Sequence, residues 1–116
     1  MEFDRFTLCL LVRPAQCPEL PPDRAARVQD DHMAHLATMH DEGILLAAGP
    51  LGGSDDPTVR GVAIFRGSPD DVRGMAEDDP AVAAGQLELR FFPWMVPAGA
   101  MYFQRTRFPR SMSDVD

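Results

Sequence analysis

The sequence contains no lysine, and all eleven of its basic residues are arginine. Schiff-base chemistry on a lysine amine is therefore excluded. The 116 residues carry a formal net charge of −7. Nucleic acid binding depends on clustered basic residues that neutralise phosphates, which an acidic chain of this kind does not favour. We therefore expect no nucleic acid partner.

Long apolar runs are also absent. No stretch approaches the roughly 18 consecutive apolar residues that a membrane-spanning helix requires. The first residues do not show the basic-then-apolar order of a signal peptide. We therefore expect a cytoplasmic protein without a membrane partner.

Cysteine occurs only twice, at Cys9 and Cys17. Their spacing fits neither a CxxC motif nor a set of metal ligands. Cys9 lies in a strand pattern and is expected to be a small core residue, and Cys17 lies in a proline-rich loop. Both are expected to be free thiols without a nucleophilic role.

The patterns that are present follow the order β-α-β-β-α-β. Alternation of apolar residues predicts strands at 3–12, 44–48, 59–66 and 87–92. Asp23 is the expected N-cap of the first helix and Gly43 its left-handed end, while Ser68-Pro69 begins the second helix. Asp79-Pro80 is expected to begin one more short turn. This order predicts an α+β, ferredoxin-like protomer with two helices on one face of a four-stranded antiparallel sheet.

Both faces of the strand at 3–12 are apolar, which indicates a strand covered on both sides. Since so small a chain forms only one core, the second cover is expected to be another subunit. We divide the chain into a domain at 1–96 and a C-terminal extension at 97–116. The apolar residues from Trp94 to Phe103 should pack back on the body or across a dimer, and the chain from about Arg110 is expected to be disordered.

The first helix carries two histidines on its predicted apolar face. Residues three and four apart share a face of a helix, and the set that falls together is Val28, His32, His35, Leu36 and Met39. An imidazole on such a face needs a polar partner, because an unpaired buried polar group is costly. His40 lies off this face and is expected to be solvated.

Several short motifs, taken together, resemble the YCII-related (YciI-like) family over about residues 3–96. They are, in order, Ala34-His35-Leu36, His40-Asp41-Glu42-Gly43, Ala48-Gly49-Pro50-Leu51, Asp79-Pro80 and Val82-Ala83-Ala84-Gly85. The resemblance implies a ferredoxin-like protomer that assembles as a dimeric α+β barrel. It also implies an active site made of a His–Asp pair, at positions matching His35 and Asp79. One branch of the family is similar to dehydrochlorinases of chlorinated hydroxyquinols, and muconolactone isomerases share the broader fold.

Chemistry supports the same pair, because a carboxylate beside an imidazole fixes its tautomer and makes it a competent base. The alternative is a structural hydrogen bond between a buried His35 and Asp79. His32, one turn earlier, either lines the same cavity or is a partly exposed helix residue. The family often has an aromatic residue after Asp-Pro, so Ala81 is expected to enlarge or reshape the pocket.

Other candidate sites are weaker. Gly49, Pro50 and Leu51 are expected at a pocket rim or a plain strand exit, since neither the Walker spacing nor G-x-G-x-x-G is present. Trp94 is either a pocket wall or part of the core or an interface. A metal would need His32, His35 and Asp79, whose spacing is not that of H-E-x-x-H, so we expect no metal and no cofactor. Ser54 lacks a G-x-S-x-G setting and is not expected to be a nucleophile.

The sequence thus predicts an acid–base enzyme in which His35 moves a proton and Asp79 orients it. The reaction would be an elimination, isomerisation or hydrolysis of a small cyclic or aromatic molecule. The enzyme would accordingly be a dehydrochlorinase-like lyase, an isomerase or a hydrolase. The alternative, which the sequence leaves open, is a non-catalytic module for small-molecule binding or assembly. The expected partners are a small-molecule ligand and further copies of the chain, as a homodimer or a higher oligomer.

Overall fold

A computed structural model describes residues 1–53 and 55–115. Four strands and three helices follow one another as β1 (Phe3–Val12), α1 (Pro22–Asp41), β2 (Leu45–Pro50), β3 (Val59–Arg66), α2 (Pro69–Glu77), α3 (Pro80–Ala83) and β4 (Glu88–Pro97), and a 3-10 turn covers Met112–Asp114. The predicted β-α-β-β-α-β order is confirmed, with α3 as the additional short turn after α2.

The four strands form one antiparallel sheet in the order β2-β3-β1-β4. This is the strand order of a ferredoxin-like α+β fold, as predicted. The main core lies between the sheet and the helices, where Cys9, Phe65 and Leu45 pack against Met39 and Val72. In the described part of the chain, no helix is long and apolar enough to cross a membrane.

The ends of α1 and α2 follow local sequence signals, with one exception. α1 begins at Pro22, and its N-cap is Pro21 rather than the predicted Asp23. Proline suits the first helical position, and the Asp23 carboxylate lies in the first turn, where it complements the helix dipole. Gly43 has φ of +80°, as expected for the residue after a helix. Ser68 caps α2 in a reciprocal capping box with Asp71, also as predicted.

Two strands are longer than their apolar patterns suggest. β2 continues through Gly49 and Pro50, beyond its predicted end at Ala48. Gly61 of β3 faces Pro50, and a Cβ atom at Gly61 would lie 3.0 Å from the Gly49 carbonyl oxygen, so a glycine at position 61 permits this close pairing. β4 continues through Pro93 to Pro97 because it is an edge strand, where a missing N–H is tolerated.

The second face of the sheet carries its own apolar cluster. Phe6, Leu46 and Val96 are buried there, and Trp94, Met101 and Phe103 pack against them. The rings of Phe6 and Phe103 meet edge to face with centroids 5.4 Å apart. In this chain, the residues after β4 therefore pack partly on the body, one of the two arrangements that the sequence predicts.

Residues 105–115, here called the C-terminal strap, run along α1. Arg105 donates to the carbonyl of Asp41, and Arg110 forms an ion pair with the Asp41 carboxylate. The amide of Met112 donates to Asp30 Oδ1 at 2.8 Å. The division of the chain at residue 96 and the disorder expected from about Arg110 stay predictions.

Candidate active site

A buried histidine–carboxylate pair joins α1 to the start of α3. His32 Nδ1 lies 2.6 Å from Asp79 Oδ2. His32 is 9% exposed and Asp79 only 2%. A buried carboxylate needs hydrogen bonds to offset its lost hydration, and His32 supplies one of them.

The backbone of α3 holds the Asp79 carboxylate in place. Asp79 is the N-cap of this helix, Pro80 occupies the first helical position, and Asp79 Oδ1 accepts a hydrogen bond from the Ala81 amide at 2.8 Å. An ionised aspartate accepts hydrogen bonds at both carboxylate oxygens and has no proton to donate. His32 Nδ1 must then carry the proton of this hydrogen bond. Nε2, the other ring nitrogen, is left to accept a proton.

His32 lines a cavity of about 800 Å³. The cavity is bounded by α1, the neighbouring ends of β1, β2 and β3, the start of α3, and the strap. Most of its wall is apolar, including Leu20, Val28, Met33, Leu36, Val62, Leu87, Phe108, Pro109, Met112 and Val115. A ligand in this space would contact a mainly apolar wall and could lie beside the imidazole.

The predicted pairing of His35 with Asp79 is wrong. His35 is half-buried, and its Nε2 lies 2.9 Å from the carbonyl oxygen of Met75, to which it donates. Met75 lies in the last turn of α2, where carbonyls lack partners within the helix. His35 therefore links two helices, and it is not among the residues that line the cavity.

The expectation that His40 is solvated is also wrong. His40 is 3% exposed, and its Nδ1 donates to the Leu45 carbonyl at 2.7 Å. Its Nε2 accepts from the Thr106 amide at 3.1 Å. His32, Leu36 and His40 thus form the row at the centre of the buried side of α1. Residues four apart share a face of a helix, so this spacing was the signal in the sequence that could have identified the row.

The remaining predicted binding residues separate into two groups. Gly49 and Pro50 line the cavity beside His32, and so does Ala81, whose small side chain leaves space next to the pair. Leu51 and Trp94 are not in this wall, because Leu51 follows the end of β2 and Trp94 packs on the other face of the sheet. Whether any of these residues binds a ligand stays a prediction.

The thiols lie apart from the pair. Cys9 is buried in the core, and burial raises its pKa to about 12, which suits an inert structural thiol. Cys17 is half-buried, with its Sγ 3.5 Å from Gln86 Oε1. Ser54 lies outside the described residues. Within residues 1–53 and 55–115, no group of three or more His, Cys, Asp or Glu side chains is placed to hold a metal.

Comparison with known proteins identifies the family. Residues 7–95 match the YCII-related domain. The chain belongs to the YCII-related family. Its relatives include Protein YciI of Escherichia coli O6:H1 and Protein YciI of Shigella flexneri. Each is 38% identical over 76 residues, which cover 57% of this chain and 74% of the relative.

A solved structure shares the fold. It is 5-chloro-2-hydroxyhydroquinone dehydrochlorinase from Burkholderia phenoliruptrix AC1100, in complex with 2,5-dihydroxybenzoquinone. The TM-score is 0.50 at 22% sequence identity, and the likeness covers 77% of this chain and 92% of the other. At this identity the likeness supports the fold alone.

The YCII-related match contains His32 and Asp79 but not the whole cavity. It ends at residue 95, whereas Phe108, Pro109, Met112 and Val115 of the strap form part of the wall. In this member of the family, one side of the cavity is therefore formed by residues beyond the matched domain.

Proposed function

We propose that this YCII-related protein is a cofactor-independent acid–base catalyst in which His32 is the proton-transferring residue and Asp79 its positioning partner. The observation that carries the proposal is the hydrogen bond of 2.6 Å between buried Asp79 and the one imidazole that lines the cavity. Its substrate would be a small cyclic or aromatic molecule, because the cavity wall is mainly apolar.

The chemistry follows from the tautomer. With its Nδ1 proton donated to Asp79, His32 presents the lone pair of Nε2, which removes a proton from a bound ligand. The imidazolium that forms is stabilised by the adjacent carboxylate. In an elimination the released electron pair forms a double bond as the leaving group departs with its own pair. In an isomerisation Nε2 returns the proton to a different atom.

The cavity wall favours proton transfer over covalent catalysis. The residues that line it within the described chain include no serine, threonine, cysteine, tyrosine, lysine, aspartate or glutamate, so His32 is the one wall residue of a type that serves as a nucleophile or a base. His32 is thus the group best suited to act on a ligand there. The non-catalytic binding module remains the alternative outcome of the test below.

The experiment measures turnover of small cyclic substrates. The panel begins with 5-chloro-2-hydroxyhydroquinone, on which the structurally similar enzyme acts, and continues with cyclic enones and lactones. Elimination is followed by chloride release and isomerisation by proton exchange with deuterated water. His32→Gln should lower turnover by a factor of about 10²–10⁴, the usual contribution of a general base.

A matched control separates the two histidines. His35→Gln lies one turn away on the same helix and should keep most of the activity, because His35 does not line the cavity. If ligands bind the cavity but are not turned over, the binding-module alternative holds. If His35→Gln rather than His32→Gln abolishes turnover, the assignment is wrong.

We further propose that the protein forms a homodimer through the second face of the sheet and acts in the cytoplasm. Support for the dimer comes from apolar residues left partly exposed on that face, including Leu8, Leu10 and Ile64, with Phe92 44% exposed. The residues after β4 cover part of this face but not all of it. Burying the remainder against a second copy would remove it from water.

A further inference from the structure

We propose that the cavity binds a carboxylate attached to an apolar ring, and that Arg13 and Arg60 are the groups that recognise the carboxylate. This inference rests on the proposed function in using the same cavity, but it concerns binding rather than proton transfer. It assigns a chemical class to the ligand and a role to two residues that the His32–Asp79 pair does not explain.

The first observation is the sign of the charges around the cavity. The chain has 18 acidic and 11 basic residues, yet its cavity wall includes no aspartate or glutamate. Its only residues with a permanent charge are Arg13 and Arg60, within the described chain. The Asp79 carboxylate bonds to the wall residues His32 and Ala81 but is not itself in the wall, so the permanent charges within the wall are both positive. Such an arrangement attracts anions and disfavours cations.

The second observation is that the sheet brings these two arginines together. Arg13 directly follows β1, and its amide donates to the Thr58 carbonyl at 2.7 Å. Arg60 lies on the neighbouring β3, where the pairing of β1 with β3 shifts register between Leu11 and Val12. A bulge of this kind redirects side chains at the end of a ladder. Both arginines therefore belong to the part of the cavity wall where β1 ends and β3 begins.

The third observation is that neither guanidinium has an acidic partner in the described part of the chain. The arginine ion pairs there are Arg90 with Glu88 and Arg110 with Asp41. The nearby Asp56 carboxylate accepts hydrogen bonds from the amide and hydroxyl of Thr58. Arg13 and Arg60 are thus available to a ligand.

A carboxylate on a ring fits these features better than a strongly charged phosphate. Guanidinium groups match the planar geometry of a carboxylate and bind it through paired N–H donors. The rest of the wall is apolar apart from Gln29, Gln86 and His32, so the body of the ligand must also be largely apolar. The carboxylate would lie at the strand ends, with the ring extending toward α1 and His32.

The test compares two probes of nearly the same shape, the anion 2-naphthoate and its neutral amide 2-naphthamide. Calorimetric titration of the full chain should show the carboxylate binding at least about tenfold more tightly, in line with a charge-assisted hydrogen bond. The preference should weaken as salt is added, because both arginines are exposed and salt screens exposed charges. In Arg13→Gln/Arg60→Gln the two probes should bind equally.

The control replaces arginines at the other end of the same strands, Arg5 of β1 and Arg66 of β3, neither of which lines the cavity. Arg5→Gln/Arg66→Gln removes the same total charge and should keep the preference. A loss of preference in this control would show a general field effect and overturn the assignment. Circular dichroism melts check that both double variants fold.

Three further results would overturn the proposal. These are equal binding of both probes to the wild type, no binding of either at millimolar concentration, and tighter binding of 2-naphthyl phosphate than of 2-naphthoate. His32→Gln should leave the preference intact. Failure of the carboxylate preference and failure of proton transfer by His32 are therefore observed separately.

Discussion

The ring of Phe108 stacks on the ring of His40, with centroids 4.0 Å apart and planes inclined by 12°. The same imidazole donates to the Leu45 carbonyl and accepts from the Thr106 amide. Because Nε2 accepts, the neutral ring with its proton on Nδ1 satisfies both bonds. The end of α1, the start of β2 and the strap therefore meet at one side chain.

Shortening the strap tests this contact. Truncation after Arg107 removes the Phe108 ring and the Arg110 ion pair, and should lower the free energy of unfolding by about 1–3 kcal/mol. Phe108→Ala should account for much of that loss. Tyr102→Ala is the control, since Tyr102 is 92% exposed, and should change stability by less than about 0.5 kcal/mol. An unchanged melt after truncation would support the disorder predicted from about Arg110.

The ion pair of the strap should depend on pH. The hydrogen bond from Arg110 holds the pKa of Asp41 below its ordinary value. A carboxyl whose pKa is lower in the folded state stabilises the fold above its unfolded pKa, and this contribution is lost as pH falls through the lower folded value. The melting temperature of Asp41→Asn should thus lie below wild type at neutral pH and approach it in acid. Asp31→Asn, an exposed change on the same helix, should show no such convergence.

Much of the fold could be predicted because its signals are local. β3 occupies 59–66 as its alternation predicts, and Ser68-Pro69 begins α2. The ends of β2 and β4 could not be predicted in the same way. The pairing of Gly49 and Pro50 in β2 depends on the missing side chain of Gly61, and Pro93 is tolerated in β4 because β4 is an edge strand. Both are properties of the assembled sheet.

The site was only partly predictable for a related reason. The resemblance to the family pointed to Asp79, but it did not show which histidine pairs with it, because three histidines lie within nine residues of α1. Their partners are a carboxylate from α3, a carbonyl from α2 and an amide from the strap. Each partner is distant in sequence, so periodicity alone does not assign it.

The dimer is tested by light scattering at micromolar concentration. The expected mass is about 26 kDa, twice the chain mass of 12.8 kDa. Phe92→Asp would place a charge on the partly exposed apolar face and should shift the protein toward monomer. A wild-type monomer at this concentration would contradict the proposed assembly.

Replacing His32 or His35 by leucine should show which of these two histidines contributes more to the free energy of unfolding. His32→Leu leaves Asp79 Oδ2 as a buried acceptor without its partner, and should cost about 1–3 kcal/mol in urea unfolding. His35→Leu should cost less, because His35 is only half-buried and water can reach the freed carbonyl. A larger loss of stability in His35→Leu than in His32→Leu would indicate that His35 contributes more to the fold.

The tautomer of each histidine can be observed in long-range proton–nitrogen correlation spectra of the ¹⁵N-labelled protein. Neutral His32 should carry its proton on Nδ1, directed at Asp79. In Asp79→Asn the amide competes for this position, and His32 should lose its single Nδ1–H form while His35 and His40 keep theirs. A response confined to His35, or a neutral wild-type His32 with its proton on Nε2, would contradict the pairing of His32 Nδ1 with Asp79.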